Sequence, residues 1–404
     1  MMKLILGCEV KKIFSKKINR VVLSVALLLA IAFSLFAIKS IRYYDKDEVL
    51  YTGITASRSL AADRNRWKGE LTADKVAEVV KSRKELTEKY PEGIPDTEYG
   101  KTIQSYDDII NFVINILTPD SDYDDSVLYQ LTDEKVNNIY TEYERNIQKM
   151  LKDYGKTLEQ KEFLAKQYKK VKMPLAYEAK DSWDTMTLYA ETYGIVLAVF
   201  IGFLAAGIFA EEFQTRAEAV FFYTKYGRSK ATKSKIVAGI LMTTIVYWVG
   251  IGMLSLISFG VMGISGFNTP YQINQPYSIY SMTYGQYYLL ILLCGYIACL
   301  FAALLTMLIT AKMHTASVAI CVPFFMYCMI PFIGRALPSF TTFFKLTPNV
   351  LMNIIESAKD PTIFQIGNIV FRQIPFVMLI YIVVSVILLP FVYRSYCRYG
   401  LSKK

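Results

Sequence analysis

The chain reads as an α-helical polytopic membrane protein with six transmembrane helices, both termini in the cytoplasm, and an α-rich extracytoplasmic domain. Three observations lead there. Of its 404 residues 53% are hydrophobic, more than a soluble domain carries. These residues are gathered into six runs, each near the roughly 20 residues that a helix needs to cross a hydrocarbon layer of about 30 Å. Charge is also divided: 40–186 holds 23 Lys and Arg against 28 Asp and Glu, a net of −5, while the remainder carries 22 against 7, a net of +15. Basic flanks and short basic loops stay on the cytoplasmic side.

Residues 1–20 form an expected cytoplasmic interfacial helix, with Leu6, Val10, Ile13 and Phe14 on one face and Lys11, Lys12, Lys16 and Lys17 around the other. The first span, 21–39, exceeds the usual 7–15 residues or so of a signal-peptide core, and no small-residue cleavage site follows Phe36, so it is expected to stay uncleaved. Residues 40–186 are the extracytoplasmic domain, in which Thr72 is an expected helix N-cap and Val136, Tyr140, Tyr143, Ile147, Met150 and Tyr154 step along one helical seam. Gly155 ends that seam, and a second helix follows over 158–171. This domain either packs on itself or offers a surface to a partner.

The five later spans are 187–210, 236–262, 287–311, 315–333 and 374–393, making 187–404 the membrane domain. Gly202, Ala206 and Ala210 form a stripe of small residues on the second span, as do Gly295, Cys299 and Ala303 on the fourth. Pro323 and Pro331 are expected to interrupt the fifth, because proline removes a helical N–H. Tyr271, Tyr277, Tyr280, Tyr284 and Tyr287 are expected at the level of the lipid headgroups. The outer hairpin 335–372 holds a short apolar piece, 350–355, that reads as an interfacial or re-entrant helix.

Several chemistries are excluded. There is no Gly-x-x-x-x-Gly-Lys-Ser/Thr phosphate loop, no His-Glu-x-x-His and no Gly-x-Ser-x-Gly, and His314 is the one histidine, expected to be solvated in a tight turn. No catalytic or metal-binding residue is therefore assigned. The six cysteines lie in spans or cytoplasmic flanks, so 40–186 has no disulfide framework. The basic residues hug helix ends, including Arg394, Arg398, Lys403 and Lys404 of the tail, where anionic headgroups explain them better than a nucleic acid.

The most informative stretch is the cytoplasmic loop 211–235, with an acidic start, an aromatic middle and a basic end. That order suits a short helix with Glu211 and Glu212 near its positive end and Lys225 or Arg228 near its negative one. Ala217, Val220, Phe221 and Thr224 then share a face. The adjacent Phe221 and Phe222 need burial, either under the chain's own spans or in a groove on a cytoplasmic partner.

This loop resembles that of type-2 ABC exporter permeases, the membrane subunits of transporters whose ATPase is a separate chain. Glu211 and Glu212 match the Glu-rich start of the family pattern, Val220, Phe221 and Phe222 its apolar triplet, Arg228 its Arg, and Lys235 its Lys at the mouth of the third span. Arg216 and Ala217 stand where the pattern has Gly-Thr, and Lys225 where it has Pro. The interfacial first helix, six spans and outer hairpin follow the family along nearly the whole chain; only some members carry a large domain between spans one and two.

The resemblance implies a permease working as a homodimer or with a paired permease subunit. It would export a peptide, lipid-like molecule or drug across a cell membrane, driven by a cytoplasmic ABC ATPase that holds the ATP and Mg. It makes those seven loop residues the ATPase-coupling site. The competing reading is a membrane-anchored sensor or assembly protein that binds a partner through 40–186. Glu191, near the outer end of its span, is expected either to pair with Arg372 as an outer gate or to reach headgroup water. The charge division is checked by cysteines placed at Lys101 and Ser229: the first should label from outside intact cells and the second only after permeabilisation. Reversed labelling would overturn the topology.

Overall fold

In the computed structural model, residues 2–45, 47, 49–118 and 125–399 are described. Lys403 and Lys404 lie outside them. Six helices are long and apolar enough to cross a membrane: Lys17–Ser40, Asp181–Gln214, Gly227–Met262, Tyr284–Met313, Ser317–Ala336 and Gln373–Cys397. They are called spans 1 to 6. Spans 2 and 4 form the centre of the bundle, with about two thirds of their most apolar windows buried, whereas only 11% of span 6 is covered. The first helix, Met2–Ser15, turns into span 1 at Lys16, whose extended backbone (φ −61°, ψ 131°) breaks the helix.

The small-residue stripes are used inside the chain. A Cβ on Gly202 would stand 2.3 Å from Pro323 Cγ, so span 5 leans against span 2 at a position that admits no side chain. Gly295 similarly admits the ring of Tyr247, whose hydroxyl donates to Leu292 O at 2.8 Å. Span 5 is interrupted as expected: a five-residue π segment, Phe325–Met329, joins Ser317–Phe324 to Ile330–Ala336, with Pro323 and Pro331 on either side.

The segment between spans 1 and 2 is an α-rich insert. Its core is the helix Asp107–Leu117, in which Ile109, Phe112, Val113 and Ile116 are fully buried, flanked by Ala73–Lys89, Ile139–Tyr154 and Leu158–Tyr168. Thr72 caps Ala73–Lys89 by accepting from Lys75 N at 3.4 Å. The expected seam is split, since Asn138 separates Asp133–Asn137 from Ile139–Tyr154, but Tyr143, Ile147 and Met150 do face the core. Short antiparallel ribbons, Arg42–Tyr44 with Leu50–Thr52 and Gly69–Glu70 with Ala176–Tyr177, close the insert at its two chain entries.

The boundary expected at 186 falls inside a helix. Span 2 begins at Asp181 because its first turn is anchored in the insert by charge. Arg64 Nη1 lies 2.5 Å from Asp108 Oδ2 and 2.9 Å from Asp181 Oδ1, while Lys180 Nζ pairs with Asp108 at 3.3 Å and with Asp184. Tyr177 donates to Asp108 Oδ2 at 3.1 Å, and Asn274 to Asp184.

One further expectation is refined: the five tyrosines of the 271–287 region are buried within the protein, none more than 7% exposed, rather than facing outward. Tyr277 Oη donates to Ile116 O (2.6 Å) and Tyr280 Oη accepts from Ile374 N (3.1 Å), so these two amphipathic rings fill the seam between insert and bundle with their hydroxyls paired. In the 335–372 segment the short apolar piece 350–355 falls in a helical turn, Pro348–Met352, and the start of the helix Ile354–Lys359. Val350, Leu351, Met352 and Ile354 are buried in the protein, and a β-hairpin, Ile363–Ile366 with Ile369–Arg372, follows them, turning at Gly367 (φ +59°).

Burial opposes the Asp108 charge, but Arg64 and Lys180 outweigh it and hold its pKa well below the usual carboxylate range. A depressed carboxylate stabilises the fold above its unfolded pKa of about 3.9, and that contribution fades as pH falls towards the folded value. The thermal stability of the detergent-solubilised chain should therefore fall with acid below about pH 4. Arg64→Met, which leaves Asp181 without its cation and Asp108 with Lys180 alone, should cost about 3 kcal/mol at neutral pH.

Candidate functional site

At the bundle end opposite the insert, three separate segments meet in one ionic hub. Glu211 and Glu212 occupy the last turn of span 2, Lys235 lies in the first full turn of Thr232–Met262, and Glu9, Lys12 and Lys16 come from the N-terminal helix and its hinge. Lys235 Nζ is 2.8 Å from Glu212 Oε1 and 3.4 Å from Glu9 Oε2, and donates to Ile208 O at 3.0 Å. Lys12 Nζ bridges Glu212 (3.1 Å) and Glu211 (3.0 Å), and Lys16 reaches Glu211 at 2.6 Å. Tyr396 of span 6 donates to the remaining Glu212 oxygen at 2.9 Å.

Three ammonium groups thus face three carboxylates. The central pair is almost dry, with the side chains of Lys235 and Glu212 only 1% and 6% exposed. Burial disfavours the Lys12 charge, but Glu212 and Glu211 more than compensate and raise its pKa above the ordinary lysine value. The lysines read from sequence as a lipid-facing stripe are, at Lys12 and Lys16, partners of the loop's carboxylates.

The chain leaves span 2 through a Schellman turn: Ala217 N donates to Glu212 O (2.8 Å) and Arg216 N to Phe213 O (3.3 Å). Arg216 takes the left-handed position (φ +54°) that this turn usually gives to glycine, where the resembled family pattern has its Gly. The loop helix that follows is one and a half turns, Glu218–Tyr223. The loop then folds back so tightly that a Cβ on Gly227 would stand 1.9 Å from Phe221 O.

The expected face of the loop helix is divided by this fold. Phe222 is buried, with Tyr396 at 5.0 Å, Tyr399 at 5.1 Å and the Arg228 guanidinium 4.9 Å over its ring. Phe221 is half-buried against Tyr396 (5.7 Å), with the Lys235 ammonium 5.5 Å over it. The underside of the spans is therefore where the two phenylalanines go. The residues left outward are Val220, 71% exposed, and Tyr223, 92% exposed.

Arg228 ties the loop to span 6 as well as lying over Phe222. It donates to Cys397 O (2.6 Å) and Tyr399 O (2.7 Å), satisfying carbonyls at the end of span 6, where a cation also suits the helix dipole. His314, in the left-handed C-cap position of span 4, is packed between Phe213 (4.2 Å) and Tyr399 (4.8 Å) rather than solvated.

Glu191 and Arg372 are not brought together. Glu191 Oε2 accepts from Ile355 N at 3.0 Å, at the start of the helix Ile354–Lys359, so a backbone donor takes the place of the expected cation. Arg372 instead lies over the Tyr280 ring, 5.1 Å from its centroid. Sequence reading also missed Tyr396, Tyr399 and Glu9 as members of the hub; nothing in their local pattern marks them, because they meet it only through the fold. Comparison with protein-family models and with curated proteins returns no match.

Lys235→Met should cost about 3 kcal/mol of stability by removing the buried cation and leaving Glu212 only the more exposed Lys12 and the Tyr396 hydroxyl. Adding Glu212→Gln should recover part of that loss, a coupling that a double-mutant cycle on unfolding in detergent measures. In the same assay Arg216→Gly should be neutral to stabilising by up to about 1 kcal/mol, since glycine takes the left-handed region without Cβ strain.

Proposed function

We propose that this chain is the transmembrane permease subunit of an ABC exporter, coupling ATP hydrolysis on a separate cytoplasmic ATPase to movement of a substrate across the cell membrane. In this reading the termini and the 211–235 loop are cytoplasmic, the insert is extracytoplasmic, and the permease pairs with a second copy or a paired subunit. One observation carries it: a short loop helix with an outward apolar face, Val220 and Tyr223, is locked from behind by the Lys235–Glu212 hub to the first helix and spans 2, 3 and 6. A push on that face has no soft element to dissipate it. It would pass to span 2, the most buried helix, and along it to the insert.

The resemblance of the loop to type-2 exporter permeases supplies the identity of the pusher. Its role for Phe221 and Phe222 changes: they are the fulcrum on which the loop helix rests, and Val220 and Tyr223 are the docking surface. Basic Arg216, Lys225 and Lys230 beside them suit an acidic rim on the ATPase.

A sensor reading draws on the same long helix. Span 2 runs unbroken for 34 residues, about 50 Å, from the insert's ion network to the hub, so a signal from the insert has a rigid path to the loop. A co-purifying ATPase separates the two.

Val220→Asp combined with Tyr223→Ala should reduce ATPase co-purification by about ten-fold or more, as loss of an interface anchor does, while leaving thermal stability near wild type. Phe222→Ala should instead lower stability by about 3–5 kcal/mol as a core truncation. Unchanged ATPase association in the double variant would overturn the docking surface.

A further inference from the structure

Beside the broken fifth span, at the insert end, lies a cavity of about 360 Å³ that none of the preceding chemistry uses. It opens between the helix Ile330–Ala336 and the segment 341–360. Its size suits a small polar group rather than a whole drug-sized ligand. The wall carries both signs of charge: Arg335 and Lys345 on one hand, Glu356 and Asp360 on the other.

These charges are not equally committed. Lys345 is occupied, donating to Thr362 Oγ1 at 2.7 Å and lying 3.5 Å from Asp360. Arg335 forms no ion pair within 4 Å among the described residues. Glu356 is held only by the exposed neighbour Lys359, at 2.8 Å, a surface pair of the kind that competes weakly with a ligand. Neutral hydrogen-bonding groups, Asn349 and Asn353, lie between. The free cation and the weakly held carboxylate therefore ask for a ligand bearing an anion and an ammonium together. An anion alone would gain at Arg335 and be repelled at Glu356 and Asp360.

The neighbouring surface is of another kind: Phe332, on the helix that carries Arg335, and Phe340 and Phe343, on the turns next to the cavity-lining Thr341 and Phe344, are 60–64% exposed, and Leu337 is 44% exposed. Exposed aromatics clustered at the end of a spanning helix are at home where headgroups meet acyl chains. Chain order explains the arrangement: the π segment and Pro331 interrupt span 5, and after Ala336 the run to Phe344 continues in short turns, leaving Phe340 and Phe343 outside while Thr341 and Phe344 face the cavity.

We propose that this cavity binds the polar head of a zwitterionic amphiphile carrying a phosphate or carboxylate and a primary ammonium, with its apolar part along Phe332, Phe340 and Phe343. Arg335 meets the anion and Glu356 the ammonium. Binding stands on this geometry; that the amphiphile is cargo rests on the export reading.

The test uses the full-length chain in non-ionic detergent and phosphatidylethanolamine with a diazirine near the head of its acyl chain. Cross-linked adducts should map to residues 332–344. Arg335→Gln and Glu356→Gln, both at exposed side chains, should each lower labelling about five-fold, the loss of roughly one partly exposed charge contact. Phe340→Ser should also lower it. Phosphatidylglycerol with the same diazirine should label much less, and soluble glycerophosphoethanolamine should not compete.

Adducts elsewhere, indifference to both charge variants, or equal labelling by phosphatidylglycerol would overturn the site. Full competition by glycerophosphoethanolamine would overturn the amphiphile and leave a headgroup-sized ligand in its place. Failure here leaves ATPase co-purification untouched, and labelling without any ATPase would keep the site while removing export.

Discussion

An ammonium and a carboxylate, Lys235 and Glu212, sit 2.8 Å apart with almost no access to water. Removing two charges from water costs several kcal/mol each, and only close pairing with further hydrogen bonds offsets it. The rest of the loop end follows from that requirement. Glu212 needs Lys12 and Tyr396, Lys235 needs Glu9 and the Ile208 carbonyl, and so the first helix, span 2, span 3 and span 6 are held at one point. The aromatic cluster of Phe213, Phe222, Tyr396 and Tyr399 then excludes water from beside it.

The insert end is tied down by a second set of buried charges. Arg64 and Lys180 share Asp108, and Asp181 and Asp184 extend the pairing into the first turn of span 2. The insert is consequently continuous with the bundle, and the buried tyrosines of the 271–287 region fill the joint. Two charged clusters, one at each end of a single unbroken helix, make span 2 the stiff axis of the molecule. Span 5 is its opposite: a π segment and two prolines leave it the irregular element, and the zwitterion-sized cavity lies at its end.

Most of the fold is legible in the chain, because membrane crossing depends on local hydropathy and helix length alone. Six apolar runs yield six long helices, Thr72 caps where its side chain can reach Lys75 N, and Pro323 and Pro331 disturb the span that contains them. The membrane boundaries are less legible. Asp181 and Asp184 look like the edge of a water-exposed domain until Arg64, distant in sequence, and the neighbouring Lys180 accept their charge. The five tyrosines carry the composition of an interfacial belt, but all are buried, Tyr277 and Tyr280 with their hydroxyls bonded to Ile116 O and Ile374 N.

At the candidate site, the residue types and their order along 211–235 are set by the chain itself: acidic residues at the close of span 2, basic ones at the opening of span 3, aromatics between. Which of them face outward is decided only by tertiary structure. A one-and-a-half-turn helix has no periodicity long enough to name its buried face, and Gly227 folds the chain back so that Phe221 and Phe222 turn inward while Val220 and Tyr223 remain outside. Glu191 likewise carries in sequence only the need for a partner. A backbone N–H of Ile355, 164 residues away, meets it where a cation was expected. Hydropathy and helix punctuation are local quantities, readable residue by residue; the pairing of buried charges is a property of distance in space, which only the folded chain defines.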